Sequence, residues 1–244
     1  MLFRPLLCAL ALLVLGQPAS AGEVREGSRA VLELFTSQGC ASCPKADALL
    51  EELGRRTDVV TLAYHVDYWD YVGWQDTFGA KENTRRQRDY AAAWGSSRIF
   101  TPQLVVNGES GVVGSKRDKV NAALAGAALP LQIELTSGAD DTLNVEIAGR
   151  EDEDLTSAVV WLVTYRDRAE VEIDRGENQG KKIAYTHIVT GRQVLGMWEP
   201  ASGASLRLPL GEVLDEEANG AAILVQQDRN GLPGPILGAA SFTR

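Results

Sequence analysis

Cys40-Ala41-Ser42-Cys43 holds two thiols at a spacing that lets them form, exchange and break one disulfide. They follow the apolar run Val31-Leu32-Glu33-Leu34-Phe35 and precede a helical pattern from Lys45 to Leu53. The order is therefore strand, short loop, cysteine pair, helix. Unpaired N–H groups and the dipole at that helix start favour a thiolate over a thiol. Cys40 is the candidate nucleophile and Cys43 the resolving thiol. Ala41 and Ser42 bring no charge to tune Cys40, and Lys45 is the nearest cation.

Other groups with chemistry cluster by sequence around this pair. Glu33, on the strand leading to it, is a candidate proton relay, with a salt bridge as the structural alternative. His65 opens an aromatic, acidic stretch, His65-Val66-Asp67-Tyr68-Trp69-Asp70-Tyr71-Val72-Gly73-Trp74. That stretch leaves the C-terminal end of an expected central strand, where α/β folds place ligands. His65 is a candidate proton carrier; Trp69 and Trp74 suit either a substrate lip or the core. Cys40, Cys43 and His65 together offer two sulfurs and a nitrogen, an alternative set for copper or zinc. A third reading makes the pair an inert disulfide in a binding module. No hydrolase triad, phosphate loop or metalloprotease motif is present, and no cofactor is expected.

Residues 1–21 read as an export signal: Arg4, the apolar run Leu6 to Leu15, and the small-residue site Ala19-Ser20-Ala21. Cleavage there removes Cys8, so Cys40 and Cys43 would be the only cysteines, in a periplasmic or extracellular compartment where disulfides persist. No other run is apolar enough to span a membrane. With 33 acidic against 24 basic residues, the chain is a poor match for nucleic acid or an anionic membrane. The partners expected are a protein thiol or disulfide and a redox partner; the oligomeric state is left open.

The elements that must position these residues fall into two regions. Over residues 28–128 strand and helix signals alternate: strands at 29–35, 58–66 and 103–106, helices at 43–55, 77–94 and 115–127, and a turn Asn107-Gly108 into a short strand. This predicts a mixed sheet flanked by helices. Beyond Leu129-Pro130, residues 130–244 alternate with period two through short runs at 131–135, 143–147, 158–165, 169–173, 183–189, 193–197, 205–210 and 221–227. A β-rich, sandwich-like second domain is expected there.

Ile99-Phe100-Thr101-Pro102-Gln103 sets a proline directly before a strand, and resembles the cis-proline position of the thioredoxin superfamily. With Leu34-Phe35-Thr36-Ser37-Gln38-Gly39-Cys40-Ala41-Ser42-Cys43-Pro44, Tyr64-His65-Val66-Asp67-Tyr68-Trp69, Leu224-Val225-Gln226 and Gly234-Pro235-Ile236, the chain resembles a secreted thioredoxin-like family, domain of unknown function 1223. The resemblance implies a thioredoxin-like α/β domain, with an insertion at about 67–98, followed by the β-rich extension. It adds Thr101 and Pro102 to the candidate site and implies an exported thiol–disulfide oxidoreductase-like protein. The chain lacks Trp-Cys-Gly-Pro-Cys, which points to a restricted partner rather than general disulfide reduction.

Overall fold

The computed structural model describes residues 22–138 and 140–244. The expected export signal, with Cys8, lies outside the described residues. A short strand β1 (Glu23–Arg25) leads into β2 (Ala30–Thr36), α1 (Pro44–Gly54), β3 (Val59–His65), α2 (Lys81–Ala93), β4 (Gln103–Val106), β5 (Ser110–Val113) and α3 (Arg117–Ala125). The strand-rich part follows: β6 (Glu134–Ser137), β7 (Thr142–Ile147), β8 (Ala158–Glu172), β9 (Lys182–Trp198), β10 (Ala204–Pro209), the short α4 (Leu210–Val213), β11 (Gly220–Arg229) and β12 (Leu232–Thr243).

Nine strands form one mixed sheet in the order β1-β12-β11-β8-β9-β3-β2-β4-β5, and β10-β7-β6 form a second sheet. Every residue of β2 and β3 is buried. Such near-continuous apolar runs are what a strand covered on both faces requires. Alternation then sorts their side chains. Leu32 and Leu34 face α1, whose stripe Ala46, Leu49, Leu50 and Leu53 completes that layer, while Val31 and Phe35 face the side of Tyr90 on α2.

The strand-rich region does not close on itself as a free-standing sandwich. β9 joins β3 through a parallel pairing of Ala63 with Ile188, so both regions share one sheet. On one face, Val160, Leu162, Ile223 and Phe242 pack against Leu135, Val145 and Leu208 of the three-stranded sheet. On the other face, Val163, Leu224 and Ala239 join Val31, Phe35 and Leu62 in a common core. Period-two alternation reports two differing faces, and here each face meets a different neighbour.

Two sequence expectations change in detail. The runs 158–165 and 169–173 form the single strand β8, and 183–189 with 193–197 form β9. Their polar middle carries a bulge: the register shifts between Thr164 and Tyr165, leaving Thr190 as the extra residue, and further along His187, opposite Asp167, adopts φ +48°. The helix expected from Thr77 starts at Lys81 instead, because Asp76 to Gly79 forms a turn closed by Gly79 N–H on the Asp76 carbonyl.

The Asn107-Gly108 turn also ties the two regions. The Asn107 carbonyl accepts from Ile236 N–H at 2.8 Å, and its side-chain oxygen accepts from Val31 N–H at 2.7 Å. Gly108 has φ +70°, and a Cβ there would lie 2.6 Å from the Gly234 carbonyl, so no larger residue fits.

Candidate functional site

The cysteine loop leaves the end of β2. Cys43 is the N-cap residue of α1 and Pro44 opens the helix, where a missing N–H costs nothing. Cys40 sits one turn earlier, its carbonyl accepting from Cys43 N–H at 3.1 Å. The two cysteines are joined as a disulfide with Cα atoms 5.4 Å apart. Cys40 is 1% exposed and Cys43 is fully buried.

Thr101 and Pro102 lie beside this loop. β4 runs antiparallel to β2 with Gln103 opposite Phe35, which brings the preceding Thr101-Pro102 step level with the departure of the cysteine loop. The Thr101-Pro102 peptide is cis. Trp69 bridges the two segments: its indole N–H donates to Thr101 Oγ1 at 2.7 Å, and its Cβ is 3.1 Å from where a Cβ on Gly39 would stand.

The tip of the β8–β9 hairpin ties down the cysteine loop. Asn178 Nδ2 donates to the carbonyls of Gln38 and Cys40 at 2.8 and 2.9 Å, and Ala41 N–H donates to Glu177 Oε2 at 3.1 Å. Lys181 holds the Asn178 amide oxygen at 2.8 Å. Below the tip, Trp74 donates to Gln38 Oε1 at 2.8 Å, and Ile173 and Tyr185 pack with Trp74 and Phe78. Trp69 and Trp74 are thus partly buried braces of the cysteine loop.

Glu33 and His65 occupy different surroundings. Glu33 projects toward α2, fully buried, where Arg86 Nε and Nη2 donate to its Oε1 at 2.9 and 2.6 Å and Tyr90 donates to its Oε2. Its carboxylate is engaged in a buried ion pair on the sheet face opposite α1. That placement is the salt-bridge alternative, because strand alternation sends residue 33 to the other side from residue 34. His65 is fully buried, with Nδ1 2.8 Å from Asp76 Oδ2, edge-on contacts to Phe78 and Tyr185, and no hydrogen-bond partner at Nε2. Burial alone would lower the imidazolium, but the Asp76 charge and hydrogen bond outweigh it and raise His65 above its ordinary value. Burial also opposes ionised Asp76, yet His65 and the N–H groups of Gln38 and Phe78 hold its carboxyl below the usual range.

Asp47, absent from the sequence-based candidates, completes this cluster. It lies one turn into α1, its N–H on the Cys43 carbonyl at 3.0 Å, and its Oδ1 accepts from Thr36 Oγ1 at 2.8 Å. Burial pushes its carboxyl up to about 7, against the opposing influence of His65 and Thr36. The sequence signal was available: Asp47 falls on the apolar side of the α1 stripe, next to Ala46 and one turn from Leu50. Asn178 and Glu177 had weaker signals, since a polar hairpin tip usually faces water.

Among the described residues, no group of three or more His, Cys, Asp or Glu side chains is arranged to hold a metal ion. The alternative set Cys40, Cys43 and His65 is therefore not assembled as a ligand cluster; the sulfurs are bonded to each other and His65 Nδ1 is taken by Asp76. No helix among the described residues is long and apolar enough to cross a membrane.

The family described as protein of unknown function (DUF1223) matches residues 31–226. The X-ray crystal structure of an Agrobacterium tumefaciens protein is similar at a TM-score of 0.78 and 35% identity, covering 90% of this chain and 96% of that one. No curated protein matches the chain. These likenesses carry fold and family, not chemistry.

Proposed function

The chain belongs to the DUF1223 family, and from that premise we propose that it is an exported, thioredoxin-like protein that exchanges disulfides with a protein partner through Cys40 and Cys43. The observation that carries this reading is the cysteine pair at the start of α1 with the Thr101-Pro102 step drawn alongside it. The element order β2-α1-β3-α2-β4-β5-α3, with β3 parallel and β4 antiparallel to a shared β2, supports the thioredoxin-like reading. An export signal over 1–21 would place the pair where disulfides persist.

In the reducing direction, a Cys40 thiolate attacks one sulfur of the partner disulfide. That S–S bond breaks, the partner's other sulfur leaves as a thiolate and takes up a proton, and a mixed disulfide forms. Cys43, as thiolate, attacks Cys40 Sγ and expels the second partner thiolate. The partner gains two electrons and the pair ends as the Cys40–Cys43 disulfide, which a second dithiol partner must reduce. In the oxidising direction the bonded pair takes two electrons from a substrate dithiol by the reverse steps. Asp47, whose N–H bonds the Cys43 carbonyl, and His65 are the titratable groups that this reading assigns to proton movement at Cys43.

The near-zero exposure of both cysteines favours a second reading, a structural disulfide in a loop tied down by the hairpin tip. Expression of Cys43→Ala in the export compartment separates the two. Exchange predicts mixed disulfides that disappear on reduction and in the Cys40→Ala, Cys43→Ala double variant. An unreactive Cys40 in the folded single variant overturns the exchange reading and leaves the structural one.

A further inference from the structure

A cavity of about 610 Å³ opens between α2, the middle of β9 and the β11–β12 turn, and its lining includes no residue of the cysteine loop. Its inner wall carries two guanidinium groups, Arg86 and Arg192, with Gln226 between them. Gln226 Oε1 accepts from Nη2 of each arginine at 3.3 Å, while its amide nitrogen is spent on Tyr90 Oη and the Gly234 carbonyl.

The charges do not balance. Arg86 is matched by Glu33 through two hydrogen bonds. Arg192 has no carboxylate within ion-pair distance among the described residues, and its buried Nε has no hydrogen-bond partner. Its guanidinium lies over the Trp161 ring, 3.2 Å from the centroid. Burial, followed by the charge of Arg86, pulls the Arg192 guanidinium down to about 10. Two cations thus share one anion in a partly dry wall, a costly arrangement unless a further negative group joins them. The remaining wall sets the apolar Trp161, Val159, Val189 and Leu232 beside the polar Asn83, Thr190 and Gln227. The rim mixes Arg85 with Glu82, Asp89 and Asp228, which repels a ligand bearing negative charge at its outer end.

We infer that this cavity binds a small organic monocarboxylate with an apolar body, its carboxylate on the Arg192 guanidinium that Trp161 backs and its body against Val159, Val189 and Leu232. A guanidinium donates to a carboxylate through its N–H groups; with Arg192 Nε sealed from the cavity and Nη2 shared with Gln226, the carboxylate takes the outer Nη edge. The volume exceeds that of an inorganic anion and falls in the range of small-molecule sites. The site stands independently of disulfide exchange.

Calorimetric titration of the full mature chain with 2-naphthoate tests the inference, with 2-naphthamide as the uncharged match. Naphthoate is expected to bind in the micromolar to low-millimolar range, at least tenfold tighter than the amide. Arg192→Met, which removes an unpaired buried charge and should melt no lower than the parent, is expected to lose at least tenfold in naphthoate affinity. Trp161→Leu, which removes the ring backing the Arg192 guanidinium, should weaken naphthoate more than the amide. No heat from naphthoate with the parent chain, equal affinity for acid and amide, or unchanged binding by a folded Arg192→Met chain would each overturn the proposal. Should Arg192→Met fail to fold, the acid-to-amide comparison on the parent decides alone.

Discussion

Asn178 reaches across 138 positions of sequence to donate its side-chain amide to the Cys40 carbonyl at 2.9 Å, with a second bond to Gln38 at 2.8 Å. A residue on a hairpin of the strand-rich region thereby anchors the loop that carries the disulfide at the start of the first helix. The disulfide-bonded pair and the residue that ties down its loop come from different regions of the chain, 138 positions apart.

Replacing Asn178 with Ala should loosen that tie. Each lost hydrogen bond is worth about 0.5–1.5 kcal/mol, so losing both should raise the open form's population by about fivefold to about 150-fold. Dithiothreitol reduction of the Cys40–Cys43 disulfide, followed by mass-resolved alkylation, should speed up accordingly. An unchanged rate would show that Asn178 does not limit access.

Glu33→Ala leaves the buried Arg86 guanidinium unpaired and should cost about 3–5 kcal/mol in urea denaturation. Glu33→Gln keeps an acceptor and should cost less. Thiol exchange at Cys40 in the folded Glu33→Gln chain should stay within about twofold of the parent, because Glu33 faces α2 rather than α1. A normally folded Glu33→Gln chain with greatly slowed exchange would restore the proton-relay role expected from its place on the strand.

Asp47 gives the protein a pH dependence of definite sign. Its carboxyl stands at about 7 in the folded chain against an ordinary 3.8, so between those values the folded state binds more protons there than the unfolded state. On this group's account stability is greatest below about pH 4, falls as pH rises to about 7, and then levels. His65, raised when folded, adds to the fall with rising pH; Asp76, lowered when folded, contributes stability above its ordinary range that is lost in acid. Asp47→Asn keeps the acceptor for Thr36 and removes the ionisation. The difference in urea-derived stability between pH 5 and pH 8 should shrink by up to about 3 kcal/mol. Parallel curves for parent and variant would place the Asp47 titration elsewhere.

Cys40 and Cys43, the helix that follows them, the central strands β2 and β3, and the Asn107-Gly108 turn were all legible in the sequence. Each rests on local information: spacing, an apolar run, a stripe of period 3.6, or a residue pair that tolerates positive φ. The cis Thr101-Pro102 step was anticipated from its resemblance to a known position. Glu33 was not resolved, because its role depended on which face of β2 it took and on which partner the chain brought there. Arg86, 53 positions away, supplied that partner.

The chain alone determined that a thiol pair would follow a buried strand and begin a helix, since these follow from short-range pattern and backbone geometry. Tertiary structure decided the rest: that β9 would join β3 into a single sheet, that the β8–β9 tip would bond to the cysteine loop, and that Asp47 and His65 would be buried within range of each other's charge. It also left Arg192, among the described residues, without a carboxylate partner at the wall of a cavity. The physical reason is common to all four outcomes. Burial and charge pairing are set by neighbours brought together through folding, and composition or periodicity cannot assign those neighbours in advance.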